Sequence, residues 1–304
     1  MESQVSFNKH GQINIVLHDR EKIVMEHHEQ SDRIDPFNRI DKDFSSFIGM
    51  NRLKETVKEI YANIEISQMR ERVGLKAQKQ VLHMLFKGNP GTGKTTVARK
   101  LAAAFYDMGV LEKGHFIEAE RADLVGEYIG HTAQKTRDLV EKAMGGILFV
   151  DEAYSLARGG EKDFGKEAID TLVKHMEDNQ NDFILILAGY PEEMEHFLSL
   201  NPGLESRFPI VLDFEDYSVE ELLLIAKQMT AEREYQLSKE AEWKLRDYLF
   251  KQKRNQDRKG FSNARFVRNT IEKAIRKHAV RIVQKRHYST EDLMLITKND
   301  LILE

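Results

Sequence analysis

The stretch Gly88-Asn89-Pro90-Gly91-Thr92-Gly93-Lys94-Thr95 decides how this chain is read. It follows the apolar run Leu82-His83-Met84-Leu85-Phe86 and leads into Val97, Ala98, Leu101, Ala102 and Phe105, which recur at helical spacing. A glycine-rich turn between a strand and a helix lets the backbone curl until successive N–H groups point at one anion, and the helix adds its positive end. The order of glycine, lysine and threonine is that of a phosphate-binding loop for a nucleoside triphosphate. Asn89, Pro90, Gly91, Thr92, Gly93 and Thr96 are expected to line the phosphates, Lys94 to reach the β- and γ-phosphates, and Thr95 to ligate Mg²⁺.

Outward from this loop, apolar residues come as short bursts: Phe116–Ala119, Ile147–Val150, Phe183–Leu187 and Pro209–Leu212. Helical patterns separate them, such as Ile169, Leu172, Val173 and Met176, which form one apolar stripe. Short continuous runs alternating with helices predict a buried parallel sheet of five strands flanked by helices, an α/β fold. Before it, Ile48-Gly49-Met50 is a turn opening a helix through Leu53, Val57, Ile60, Tyr61 and Ile64. Ile48 and Gly49 are candidates for the wall of an adenine pocket; a plain packing helix is the alternative. After Asp216 the strands stop. Ser218 and Glu221 form a capping box for one helix, a second follows Ser238 and carries the single tryptophan, Trp243, and a third opens near Ser262. The expected organisation is an appended segment over 1–40, an α/β ATPase domain over 41–216 and a small all-α lid over 217–304. In the first segment Ile13, Ile15 and Leu17 alternate like a strand, and the pair His27-His28 is read as solvated.

The composition excludes several classes. With 41% apolar and 32% charged residues, and no run approaching a membrane span, a cytoplasmic globular protein is expected. The absence of cysteine rules out disulfides, thiolate catalysis and cysteine-ligated zinc. Net charge is -4, yet the stretch from Ala264 to His287 holds eight Lys or Arg against one Glu. Such a run is either the solvated face of a long helix or a nucleic-acid contact.

Ile147–Val150 ends in Asp151-Glu152, 57 residues after Lys94. Carboxylates at the C-terminal end of a buried parallel strand stand where open α/β sheets bind ligands. Asp151 is expected to hold Mg²⁺ through water, and Glu152 to polarise the water that attacks the γ-phosphate. Two arginines are candidates to meet the charge developing there: Arg207 before the last strand, and Arg265 in Ser262-Asn263-Ala264-Arg265-Phe266.

These motifs, with Glu120–Thr132, Asp151–Leu156 and Ser206-Arg207-Phe208, resemble the AAA+ ATPases, and within them the CbxX/CfxQ branch. The resemblance covers the chain from about residue 43 onward. It implies a homo-oligomeric ring, expected to be hexameric, that hydrolyses ATP with Mg²⁺ at subunit interfaces. Arg207 would be the finger reaching the neighbouring subunit, and Arg265 the lid arginine that senses the γ-phosphate. Tyr128-Ile129-Gly130 matches the pore loop that grips an extended polypeptide, so a protein client is implied, in endospore formation. A nucleic-acid motor or loader is the alternative, favoured only by the basic helix. The family's polar residue after the fourth strand is replaced by Tyr190. Arg158–Phe164 is either a second pore loop or a solvated connection.

Overall fold

The computed structural model describes residues 3–7, 13–17, 37–77, 80–128, 130–159, 163–254 and 261–303. The chain divides into two compact units, residues 1–38 and 39–304. In the first, β1 (Ser3–Phe7) pairs antiparallel with β2 (Ile13–Leu17), from Ser3 opposite Leu17 to Phe7 opposite Ile13. The alternation at Ile13, Ile15 and Leu17 foretold β2. His27 and His28 lie outside the described residues.

α1 (Asn38–Asp43) begins at the last residue of the first unit and continues into the second, where α2 (Asn51–Arg72) follows with Leu53, Val57 and Ile60 buried. The α/β layer follows as β3 (Met84–Gly88), α3 (Lys94–Asp107), β4 (Phe116–Ala119), α4 (Arg121–Leu124), α5 (His131–Ala143), β5 (Ile147–Val150), α6 (Gly165–Asp178), β6 (Ile184–Gly189), α7 (Pro191–Ser199) and β7 (Ile210–Phe214). All five strands of this sheet are parallel, in the order β4-β5-β6-β3-β7. This order explains the texture of the sequence. β5 and β6 are flanked by strands on both sides and covered on both faces, so every residue in them is buried and apolar or glycine. β7 is an edge strand and alternates, with Ile210, Leu212 and Phe214 buried and Val211 and Asp213 exposed. The stripe predicted on α6 faces the core: Ile169, Leu172 and Met176 are buried there.

The remaining helices are α8 (Val219–Ala231), α9 (Lys239–Arg254), α10 (Asn263–Val283) and α11 (Thr290–Met294); β8 (Gln236–Leu237) and β9 (Leu295–Ile296) make a short parallel pair. The capping box is present: Ser218 Oγ accepts from the Glu221 N–H at 3.2 Å, and Glu221 Oε2 accepts from the Ser218 N–H at 2.7 Å. A separate apolar cluster, including Leu222, Leu245, Val267 and Ile271, holds these helices together. Trp243 is not part of it and is exposed. The basic run on α10 and just beyond it is mostly exposed, as a solvated surface would be, and two of its members are ion-paired. Arg281 grips the buried Asp300 through Nε to Oδ1 and Nη2 to Oδ2, both at 2.9 Å, and Lys285 pairs with Asp292 at 2.7 Å.

Candidate active site

Parallel strands place the ends of β3, β5 and β6 on one edge of the sheet, and the candidate residues gather there. A cavity of about 230 Å³ is lined by Pro90, Gly91, Gly93, Lys94, Thr95, Thr96, Asp151, Glu152, Tyr190, Ala264, Arg265 and Arg268. Gly91 and Gly93 take φ of 72° and 97°, values that L-residues with a side chain rarely adopt, so the tight curl between β3 and α3 needs glycine at both. A Cβ on Gly91 would also run into the Ser262 carbonyl. Thr92 is buried and its hydroxyl donates to the Asn89 carbonyl at 2.8 Å, bracing the loop from inside. Lys94 donates from Nζ to the carbonyls of Gly88 and Asn89 at 2.6 and 3.0 Å. Burial lowers its affinity for a proton, and the nearby Asp151 charge works the other way.

The acids come from the turn after β5. Burial raises the Asp151 carboxyl above the ordinary range, against the Glu152 N–H, which donates to Asp151 Oδ1 at 2.9 Å, and against Lys94. Glu152 has φ of 47°, a left-handed backbone that turns its exposed carboxylate away from the line of the strand. Tyr190 follows β6 and caps α7; its hydroxyl approaches Glu152 Oε1 to 3.5 Å and its ring lies 5.7 Å from Lys94 Nζ. Burial and the Glu152 charge raise the phenol, so Tyr190 stays protonated and able to donate. The hydroxyl of Tyr190 thus stands beside Glu152 at the end of β6.

The donor set suits a triphosphate with Mg²⁺. Among the described residues no cluster of three or more His, Cys, Asp or Glu could hold a metal alone. Thr95 and Asp151 bring a hydroxyl and a carboxylate into the cavity, hard oxygen donors of the kind that would hold Mg²⁺ directly or through water. Beside the loop, Gly49 borders a second cavity of about 290 Å³ with Asp213–Tyr217 and Glu221. Ile48 packs against the apolar cluster of α8–α10, and Gly49 has φ of 67° with the Glu221 carboxylate where a Cβ would be. Lead-in, phosphate loop and lid therefore meet at one place.

The ATPase family associated with various cellular activities (AAA) matches residues 84–216, and the AAA lid domain matches residues 218–304. The chain is 58% identical over 314 residues to stage V sporulation protein K of Bacillus subtilis (strain 168), covering 100% of this chain and 98% of that relative. The chain belongs to the AAA ATPases, in their CbxX/CfxQ branch. It is also 43% identical over 258 residues to the chloroplastic ribulose bisphosphate carboxylase/oxygenase activase of Cyanidioschyzon merolae (strain NIES-3377 / 10D), covering 84% of this chain and 87% of that one. A RuvB mutant of Thermotoga maritima has a similar fold at 21% identity, with a TM-score of 0.53 over 82% of this chain and 70% of that chain.

Of the candidates of this AAA ATPase, Asn89, Thr92, Ile48, Gly49, Arg207, Tyr128 and Gly130 are not in the lining of the cavity, Asn89 and Thr92 because their side chains are turned to Asp216 and to the loop itself. Arg207, in the 3₁₀ turn Glu205–Arg207, donates from Nε and Nη2 to Glu177 Oε1 at 2.8 and 2.5 Å, and from Nη1 to the Gly203 carbonyl at 2.5 Å. Tyr128 is 65% exposed, its ring edge-on to His131 at 5.5 Å, with Gly130 at φ of 84° opening α5. Ile129 lies outside the described residues, as do 160–162 of the second loop. That loop's base is fixed all the same: Arg121, at the start of α4, donates to the Ser155 carbonyl at 2.7 Å and to Asp163 Oδ1 at 2.5 Å. The sequence reading missed Arg268, although it stands three residues after Arg265 and therefore on the same helical face. It also passed over Asp216, Tyr217 and Asn263, which join the lid to the phosphate loop.

Proposed function

We propose that the protein is a cytoplasmic, ring-forming Mg²⁺-dependent ATPase, a hexamer, that remodels a protein client by drawing it through a central pore during endospore formation. Residues 41–216 form the motor, 217–304 the lid, and 1–40 an appended segment. The observation that carries the reading is the single cavity into which β3, β5, β6 and α10 bring Lys94, Thr95, Asp151, Glu152, Tyr190 and Arg265. In it, backbone N–H groups of Gly91–Gly93 and the Lys94 ammonium hold the triphosphate. Glu152 takes a proton from the attacking water, and Tyr190 hydrogen-bonds Glu152 and orients it. Thr95 and Asp151 would hold Mg²⁺, which when bound offsets the charge on the β- and γ-phosphates. Arg265 meets the γ-phosphate from the lid. Arg207 is not in the lining of its own cavity and serves the neighbouring subunit.

The client is taken to be a protein because Tyr128 offers an exposed, sequence-tolerant apolar surface on a glycine-bounded loop. The name of the activase relative, which acts on another protein, agrees with this, and the sporulation name of the Bacillus subtilis relative supports the process. The nucleic-acid alternative loses part of its support, because Arg281 and Lys285 are held by Asp300 and Asp292 while Arg265 and Arg268 face the cavity. Among the described residues no helix is long and apolar enough to cross a membrane. Tyr128→Ala is expected to keep ATP hydrolysis within about twofold, as surface changes away from a site do, and to abolish unfolding of a tagged reporter protein in the same assay. Full unfolding by that variant would remove the threading reading.

A further inference from the structure

The lid touches the phosphate loop through Asn263, Ala264 and Tyr217. Asn263, the first residue of α10, is fully buried and has φ of 46°, a left-handed conformation that asparagine tolerates better than most residues. Its Nδ2 donates to the Pro90 carbonyl at 3.3 Å and to Asp216 Oδ1 at 2.7 Å, and its Oδ1 accepts from the Tyr217 N–H at 3.2 Å. Asp216, the last residue before the lid, also accepts from Asn89 Nδ2 at 3.1 Å on each oxygen. Around this centre the Ala264 N–H donates to the Gly91 carbonyl at 3.1 Å, and the Tyr217 hydroxyl to the Thr92 carbonyl at 3.1 Å. The loop thus turns the carbonyls of Pro90, Gly91 and Thr92 toward the lid, while its N–H groups are left for an anion.

We propose that Asn263 and Asp216 form a clasp that sets the lid by the conformation of the phosphate loop, so that Arg265 and Arg268 together read the terminal phosphate. The mechanism is geometric. Any adjustment of Pro90 and Gly91 on binding an anion moves the two carbonyls that hold Asn263 and Ala264, and with them the first turn of α10. Arg265 and Arg268 project from that turn and the next into the cavity, and among the described residues neither is engaged in an ion pair. Two free guanidiniums on one helical face can meet two oxygens of a γ-phosphate that a diphosphate lacks. Asn263 is accordingly a positioning residue for nucleotide discrimination, and Arg268 a second phosphate-facing arginine. The inference rests on the reading of the cavity as a nucleotide site.

The test compares the Kd of ADP with that of a non-hydrolysable ATP analogue, both with Mg²⁺, on the full chain. Asn263→Gly keeps the positive φ and loses the hydrogen bonds; Asn263→Asp sets two carboxylates together. Each is expected to reduce the preference for the triphosphate about tenfold, within the usual range of coupling between sites, and Arg268→Gln to do the same without lowering Tm. The exchanged pair Asp216→Asn with Asn263→Asp rebuilds the contact between the two side chains but not the bond to the Pro90 carbonyl, and should restore part of the preference. A merely structural Asn263 would lower Tm and leave the ratio of the two constants unchanged. That result, or a double variant no better than Asn263→Asp, overturns the clasp, while failure of the wild-type chain to bind either nucleotide brings down the clasp and the nucleotide reading together.

Discussion

Two glycine-bearing turns leave the same edge of the sheet, and they are finished in opposite ways. The phosphate loop between β3 and α3 is held from every side: Thr92 inside, Lys94 across it, Tyr217, Asn263 and Ala264 from the lid. The loop between β4 and α5 is anchored near its base, by Arg121, by Thr136 Oγ1, which donates to the Leu124 carbonyl at 3.1 Å, and by the Gly126 N–H, which donates to Thr132 Oγ1 at 3.0 Å; beyond that it presents Tyr128 to solvent. A loop that must match a rigid anion gains from having its conformation fixed before binding, whereas a loop that meets a changing partner gains from a free tip. Arg207, like Tyr128, is not in the lining of the cavity, but its guanidinium is held by Glu177 and the Gly203 carbonyl.

The largest effect is expected from outside the cavity. Arg207→Ala should lower ATP turnover about 10³-fold, the scale of a lost arginine finger, with nucleotide affinity intact. Mixed with Lys94→Ala it should regain hydrolysis, because some interfaces then join an intact loop to an intact finger. Steady-state turnover across mixing ratios checks this, and no recovery at any ratio would place Arg207 among purely structural residues. Next comes the cavity itself: Glu152→Gln should hydrolyse ATP about 10²-fold more slowly, the scale of a lost general base, and still bind it, which a single-turnover assay separates from binding. Near-normal turnover would assign the water to another group, with Tyr190 the nearest.

A smaller effect reaches both turns at once, through the sheet they share. His83, at the entry to β3, is buried, accepts from the Leu185 N–H at 3.0 Å through Nδ1, and lies against Phe183 and Phe208. Burial pulls its imidazole down from 6.5 to about 4, outweighing a contact with the Met176 carbonyl that pushes the other way. Above pH 6.5 neither the folded nor the unfolded chain carries this proton. Between 6.5 and about 4 only the unfolded chain takes it up, so stability falls on acidification, by roughly 3 kcal/mol across the window. Thermal unfolding at pH 7.5 and pH 5 should show His83→Gln losing less stability than the wild-type chain; equal losses would mean that His83 is not the group responsible.

Much of this was legible in the sequence because local patterns carried it. The order of glycines, Lys94 and Thr95 constrains one backbone turn, and continuous apolar runs identify strands covered on both faces, so the sheet, the loop and the acids after β5 could be read residue by residue. Ser218 and Glu221 announced α8 by a capping box that spans four residues. What escaped were contacts between groups distant in sequence. Asn89 meets Asp216, and Asn263 meets Pro90, only because the lid folds back over the loop; no periodicity marks either asparagine. The eight basic residues between Ala264 and His287 were countable, but that Arg265 and Arg268 border the cavity while Arg281 and Lys285 pair with Asp300 and Asp292 depends on where α10 packs. Tyr190 could be named from its place after β6, yet its approach to Glu152 required β5 and β6 to be neighbours. The sequence by itself determined the elements and the chemistry each can offer, since those follow from local sterics and hydrophobic period. Only the tertiary structure decided which offers meet, because that depends on strand order and on the seating of the lid.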